Sequence, residues 1–169
     1  MLNSGLTPAK SLSIEVAERI CAERGARFTP LRRTALEVLL EFNGPVSAYD
    51  FLPALAQRLG RRLAPPTAYR ALGFLLEQGF ICRIETRNAF TLATHLEDRN
   101  AGVFFLCDHC GATVEVDADG ITELLAGRAA ALGFEVGRRI VELQGICADC
   151  RYTTAAVEGQ SQVVRGRRA

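Results

Sequence analysis

Two Cys-x-x-Cys pairs, Cys107/Cys110 and Cys147/Cys150, constrain this chain more than any other feature. Each pair forms a tight knuckle whose two thiolates point to one side and supply half of a tetrahedral site. Two knuckles close the shell with four sulfurs, which suits borderline-soft zinc and leaves no position for water. Thirty-six residues separate Cys110 from Cys147, more than in a usual zinc ribbon, so a strand and a helix are expected inside the loop. A closed four-cysteine site is a folding staple, contributing roughly 10 kcal/mol or more in small units. The competing reading is a pair of redox dithiols. It calls for a thioredoxin-like βαβ unit in which the pair opens a helix after a strand, and the sequence does not follow that plan.

At 169 residues the chain can bury one or two small cores. No stretch approaches the ~18 uninterrupted apolar residues of a membrane span, and the amino terminus lacks a basic region followed by an apolar run. A cytoplasmic location is expected, where thiols stay reduced and paired cysteines favour metal over disulfides. The net charge of +1 conceals an asymmetry. Residues 1–92 carry twelve Lys/Arg against eight Asp/Glu, whereas residues 93–152 carry five against ten. A basic front and an acidic rear fit a DNA-binding domain joined to a regulatory one.

Apolar periodicity and capping signals divide the front half into four helices. Ser11 or Ser13 caps a first helix carrying Ile14, Ala17, Ile20 and Cys21 on one face, with Cys21 in the core and a stop at Gly25. Thr29-Pro30 opens a second, which packs Leu36, Leu39 and Leu40. Ser47 and Asp50 resemble a capping box for a third, carrying Phe51, Leu52, Leu55 and Leu59. The fourth is expected over Thr67 to Gln78 after Pro65-Pro66, with Ala68, Leu72, Leu75 and Leu76 inward. Strands around Phe80 to Glu85 and Ala89 to Leu92, joined by a turn at Arg87-Asn88, form a two-stranded wing. Residues 11–92 thus read as a winged helix-turn-helix.

Residues 93–101 read as a hinge. Strands follow over Val103 to Leu106 and Ala112 to Asp117, then a helix from Asp119 to Leu132 and a third strand from Phe134 to Leu143. The expected class is α+β: a winged helix followed by a small α/β dimerisation domain over 102–152 that carries the four-cysteine zinc site. Residues 1–10 are expected to be a flexible N-terminus, and the polar segment 153–169 a disordered tail.

Five segments occur in order and at suitable spacing: Arg27-Phe28-Thr29-Pro30-Leu31-Arg32, Ser47-Ala48-Tyr49-Asp50, Pro66-Thr67-Ala68-Tyr69-Arg70-Ala71-Leu72, Leu76-Glu77-Gln78-Gly79-Phe80 and Phe105-Leu106-Cys107-Asp108-His109-Cys110-Gly111. Over about residues 12–152 the chain resembles the ferric uptake regulator family, most closely its zinc uptake regulator branch. The resemblance implies a homodimeric bacterial repressor in which metal at a hinge site favours a DNA-competent arrangement, a population shift. It also implies double-stranded operator DNA as the partner and zinc uptake or homeostasis genes as targets.

By the same resemblance, Tyr69 and Arg70 near the start of the fourth helix reach the major groove. There Arg can bond bidentately to guanine, and Tyr can meet a thymine methyl or a phosphate. Thr67 is a helix cap or a phosphate contact. Arg27 and Arg32 match positions where the family meets phosphate or the minor groove, with a solvated surface role as the alternative.

The resemblance further implies a regulatory zinc site at the hinge, where this chain departs from the family pattern. It has only two histidines, His95 and His109. His109 lies inside the first knuckle and is expected to face solvent. The His-rich run of the iron and peroxide branches is replaced by Asn100-Ala101-Gly102-Val103. Cys82 stands where a wing histidine is usual, Glu115 at the expected glutamate, and Ala93 where a cysteine is expected. His95, two residues on, supplies the missing hinge ligand. Cys82, His95 and Glu115 give S, N and O ligands, chemically reasonable for zinc, with Asp98, Asn100 or water as a fourth.

Two other readings stand beside the zinc-responsive one. The first is an iron- or peroxide-responsive relative, whose ligands are mostly missing. The second is a zinc-stabilised winged-helix module that binds protein. An enzyme is not expected: the sequence offers no plausible paired carboxylates, no phosphate-cradling Gly-rich loop and no His placed to serve a cysteine nucleophile.

Overall fold

The structure, a computed structural model, describes residues 12–94, 96, 102–118, 120–137 and 139–152. The expectations for residues 1–10, Ser11, His95, Asp98, Asn100, Asp119 and the 153–169 tail therefore lie outside the described residues, as does most of the 93–101 segment.

Helix α1 (Ile14–Glu23) begins at Ser13, whose hydroxyl accepts from the Val16 N–H at 3.3 Å. It ends where Gly25, at φ +64°, turns the chain so that the Ala26 N–H returns to the Cys21 carbonyl. Helix α2 (Pro30–Glu41) starts with proline at its first position, where no N–H is needed. Ser47 caps α3 (Ala48–Arg58), its hydroxyl accepting from the Asp50 N–H at 3.1 Å. Asp50 is one methylene short of the Glu of a full capping box. Its carboxylate accepts from the Ser47 hydroxyl at 2.6 Å rather than reaching back to the Ser47 main chain.

Helix α4 (Pro65–Glu77) starts two residues before the expected Thr67, because both prolines fit the first turn and Ala64 takes the cap position. Ala68, Leu72 and Leu75 are buried as expected, together with Ala71 and Phe74. They pack with Leu36, Leu39, Phe51, Leu55 and Phe80 into the main core. Cys21 belongs to that core at 1% exposure.

The wing has three strands rather than two. Strands β2 (Ile81–Ile84) and β3 (Ala89–Leu92) pair antiparallel, and β1 (Val46–Ser47) adds to β3 through Val46↔Phe90 and Ser47↔Ala89. Two residues carry no strand periodicity of their own, so β1 exists only through this pairing. Asn88, at φ +46°, makes the turn between β2 and β3.

A second sheet has the order β5-β4-β6. Strands β4 (Gly102–Cys107) and β5 (Thr113–Asp117) are antiparallel, with Phe104 opposite Glu115. Strand β6 (Val141–Gly145) runs parallel to β4 after a crossover through α5 (Ile121–Ala131). The expected strand over Phe134–Leu143 is thus displaced toward its carboxyl end, and the described residues of 134–140 are irregular. Helix α5 starts at Ile121, with Gly120 as cap, and buries no residue. Ile84 of the wing packs with Phe104 and Leu106 of β4 in a second small apolar cluster, with Cys82 against it. No helix among the described residues is long and apolar enough to cross a membrane.

Candidate metal centre and nucleic-acid interface

The parallel pairing of β4 with β6 brings the two knuckles together, since Cys107 ends β4 opposite Gly145. Cys147 follows two residues later, and Cys150 sits on a helical turn over 148–152. The four sulfurs all lie within 4.8 Å of one another, the one such group of three or more ligand side chains among the described residues. All four are free thiols. Four sulfurs at about 2.3 Å from a tetrahedral zinc stand about 3.8 Å apart. Cys110 Sγ and Cys147 Sγ lie 3.8 Å apart, so the set fits that ion.

The main chain prepares this site for thiolate. The N–H of Cys147 donates to Cys107 Sγ at 3.3 Å. Main-chain N–H groups of Cys110 and Cys147 bring the Cys107 thiol down to about 6. Cys150 is pushed the other way, to about 12, first by its hydrogen bond with Cys147. His109 is exposed in the first knuckle, as expected.

Of the three expected regulatory ligands, two come together. Cys82 Sγ on β2 lies 3.8 Å from Glu115 Oε1 on β5. Glu115 is 8% exposed, a buried position for a carboxylate on a strand. Its other oxygen, Oε2, accepts from the Thr94 N–H at 2.8 Å and from the Thr94 hydroxyl. Burial, and then the Glu115 charge, push the Cys82 thiol up to about 12. A buried carboxylate beside a half-buried thiol is costly without a cation to share, and both groups are of the type that zinc takes. His95 is adjacent in sequence to Thr94 but lies outside the described residues.

On the winged helix, Tyr69 and Arg70 are exposed on the first turns of α4, on the side away from its buried stripe. Tyr69 is 57% exposed, so it lies outside the core. Thr67 is not the cap: it is the third helical residue, and its N–H donates to the Ala64 carbonyl at 2.9 Å. Arg27 is exposed. Arg32 is held by the fold, with its guanidinium 3.7 Å over the Phe74 ring and Nη1 donating to the Arg27 carbonyl.

Thr94 and Tyr49 went unassigned in the sequence. Thr94 has no signal there, because its role depends on the distant Glu115. Tyr49 had one: it stands off the Phe51–Leu55 stripe of α3 and is 87% exposed in the first turn of that helix.

Comparison with known proteins bears on the family and the overall fold. The ferric uptake regulator family model matches residues 23–144. The zinc uptake regulation protein of Escherichia coli (strain K12) is 41% identical over 136 residues, 79% of this chain and 78% of that protein. A solved zinc uptake regulator complexed with zinc and DNA is 37% identical, with a TM-score of 0.80 over 89% of this chain and 99% of that one. A solved holo XcZur is 36% identical, with a TM-score of 0.74 over 82% and 96%. By both its sequence and its fold, the chain belongs to the ferric uptake regulator family.

Proposed function

We propose that the chain is a zinc-responsive DNA-binding repressor, acting as a homodimer in the cytoplasm on genes of zinc uptake and homeostasis. The observation that carries this reading is that one chain holds both a four-thiol cluster and an exposed Tyr69-Arg70 pair at the start of a winged helix's fourth helix. The likeness to relatives named for zinc uptake, one of them complexed with zinc and DNA, supports it. The chain is read as a regulator rather than an enzyme.

In this reading the roles divide among the residues. Cys107, Cys110, Cys147 and Cys150 hold a structural zinc, which cross-links β4 to the turn after β6 and closes a shell with no place for a reacting group. Cys82, His95 and Glu115 form the regulatory site at the hinge, taken as residues 93–101 between a winged helix over 11–92 and a second domain over 102–152. Glu115 already ties Thr94, near the start of that hinge, to β5. An added cation on the Glu115 and Cys82 side strengthens that tie and favours one relative placement of the domains.

Tyr69 and Arg70 read base edges, while Thr67, Arg27 and the exposed Tyr49 approach the backbone. Arg32 acts indirectly, fixing the Arg27 main chain. A second copy of the chain covers the exposed apolar residues of the rear half, among them Phe105, Val114 and Leu143 on the sheet and Leu124 and Leu132 on or just after α5.

The test is duplex binding by fluorescence anisotropy, with operator-like and scrambled DNA at buffered free zinc. Zinc-dependent binding that prefers the operator and falls steeply with salt supports the proposal. Binding that ignores zinc, or a requirement for Fe(II) instead, overturns it.

A further inference from the structure

The wing turn is docked on the first knuckle of the four-thiol cluster. Arg87, in the turn between β2 and β3, donates through Nη2 to the Cys107 carbonyl at 2.6 Å and through Nη1 to the Gly111 carbonyl at 2.7 Å. A longer contact of 3.5 Å joins Nη1 to Thr113 Oγ1. The two carbonyls bracket the turn that presents Cys107 and Cys110, a turn closed by the Gly111 N–H donating to the Cys107 carbonyl at 3.1 Å. A planar guanidinium spans two such acceptors only when they hold a fixed separation. Arg87 therefore reads the folded knuckle.

The other half of the cluster grips the same turn. Glu142 on β6 precedes Cys147 by five residues. Its carboxylate accepts from the Glu85 N–H at 2.7 Å, the Thr86 N–H at 3.1 Å and the Thr86 hydroxyl at 2.6 Å. The two halves are themselves joined, since the Asp108 N–H donates to the Gly145 carbonyl at 2.8 Å. Residues 85–87 of the wing are thus held by charge-assisted bonds from both segments that a metal would cross-link.

We propose that Arg87 and Glu142 are positioning residues that make the four-thiol cluster the docking platform of the wing, so that filling the cluster sets the wing orientation used for DNA binding. This inference rests on the DNA-binding reading above. An ordered knuckle favours the docked wing, and by linkage the docked wing favours the ordered, metal-holding knuckle. The structural metal is then coupled to DNA binding through a path that avoids Cys82 and Glu115.

The experiment uses the full chain with Co(II) at the four-thiol cluster, followed by its thiolate charge-transfer absorption, and compares Arg87→Ala, Arg87→Lys and Glu142→Gln with the parent. Expected are a weaker equilibrium affinity for Co(II), read as greater Co(II) loss to a competing chelator, in Arg87→Ala and Glu142→Gln, by about five- to 150-fold, and a matching fall in duplex affinity at saturating zinc. Arg87→Lys, which can still serve one carbonyl, falls between. Unchanged Co(II) loss in both Arg87→Ala and Glu142→Gln overturns the inference, and leaves the DNA-binding reading standing if the duplex is still bound. Greater Co(II) loss with duplex affinity unchanged from the parent, or with a parent that itself binds no duplex at any zinc level, keeps the dock and overturns its role in DNA binding. Glu142→Gln keeps a carbonyl acceptor and nearly the same shape, so it reports even if Arg87→Ala folds poorly.

Discussion

Cys82 Sγ and Glu115 Oε1 lie 3.8 Å apart across the junction between the two sheets. One side chain belongs to the wing and the other to the second sheet, so a cation shared by the pair ties the two together. Glu115→Ala or Cys82→Ser should lower affinity for the second, reversible zinc by about 100-fold or more, since even an outer-shell partner typically contributes ten- to 100-fold. The four-thiol metal should be retained. Competition against zinc chelators of graded affinity checks both statements. An unchanged second equivalent in Cys82→Ser removes Cys82 from the site.

Gly102 gives an independent handle on the same carboxylate. A Cβ placed there would stand 2.5 Å from Glu115 Oε1 and 2.9 Å from Phe104 Cε2. Phe104 is buried and has little room to yield, so Glu115 must swing away. Gly102→Ala should therefore weaken the zinc dependence of DNA binding while altering no ligand. A zinc titration of duplex binding indistinguishable from that of the parent would show that the Glu115 position does not matter.

Arg70→Ala should cost about 1–3 kcal/mol of discrimination at one base pair, or roughly five- to 150-fold, with a smaller loss on scrambled DNA. Arg27→Ala should weaken binding to both duplexes equally and reduce the salt slope by about one. Equilibrium binding at several salt concentrations separates the two behaviours. Equal losses on both duplexes for Arg70→Ala would move it from base reading to backbone contact.

Acid should loosen the wing dock in a defined direction. Partial burial pushes the Glu142 carboxyl up, but the Thr86 hydroxyl, the Glu85 and Thr86 N–H groups and the Arg87 charge together hold it below the usual carboxylate range. Glu85, the other charged group of the turn, is paired with Arg83 at 3.3 Å. A carboxyl lowered on folding stabilises the fold above its unfolded value, about 4.3, and that contribution is lost as pH falls through the folded value. The stability advantage of the parent over Glu142→Gln should therefore be full at neutral pH and vanish in strong acid. Denaturation of both proteins across that range checks the sign.

The parts of the fold that the sequence displays are those set by neighbours along the chain. Ser13, Ser47 and Pro65-Pro66 announce helix starts because caps and first-turn prolines act within three residues. The four-cysteine cluster is legible because each knuckle is local and four thiols have few other uses. What escaped depends on distant partners. β1 is two residues long and exists only beside β3. The segment 134–140 is apolar enough to resemble a strand, yet the ladder with β4 begins only at Val141. α5 has an apolar sequence with no buried residue, so its pattern fits a partner surface rather than this chain's own core. Arg87, Thr94 and Glu142 look like surface residues in the sequence, and their bonds span 20 to 57 positions.

The most direct test of the account is zinc bound per subunit, measured while free zinc is buffered upward and duplex binding is followed on the same samples. One tight equivalent, then a weaker reversible one whose filling coincides with the onset of DNA binding, is the predicted result. A single tight equivalent, with DNA binding already complete or absent throughout, would contradict it and leave Cys82, His95 and Glu115 without a regulatory metal.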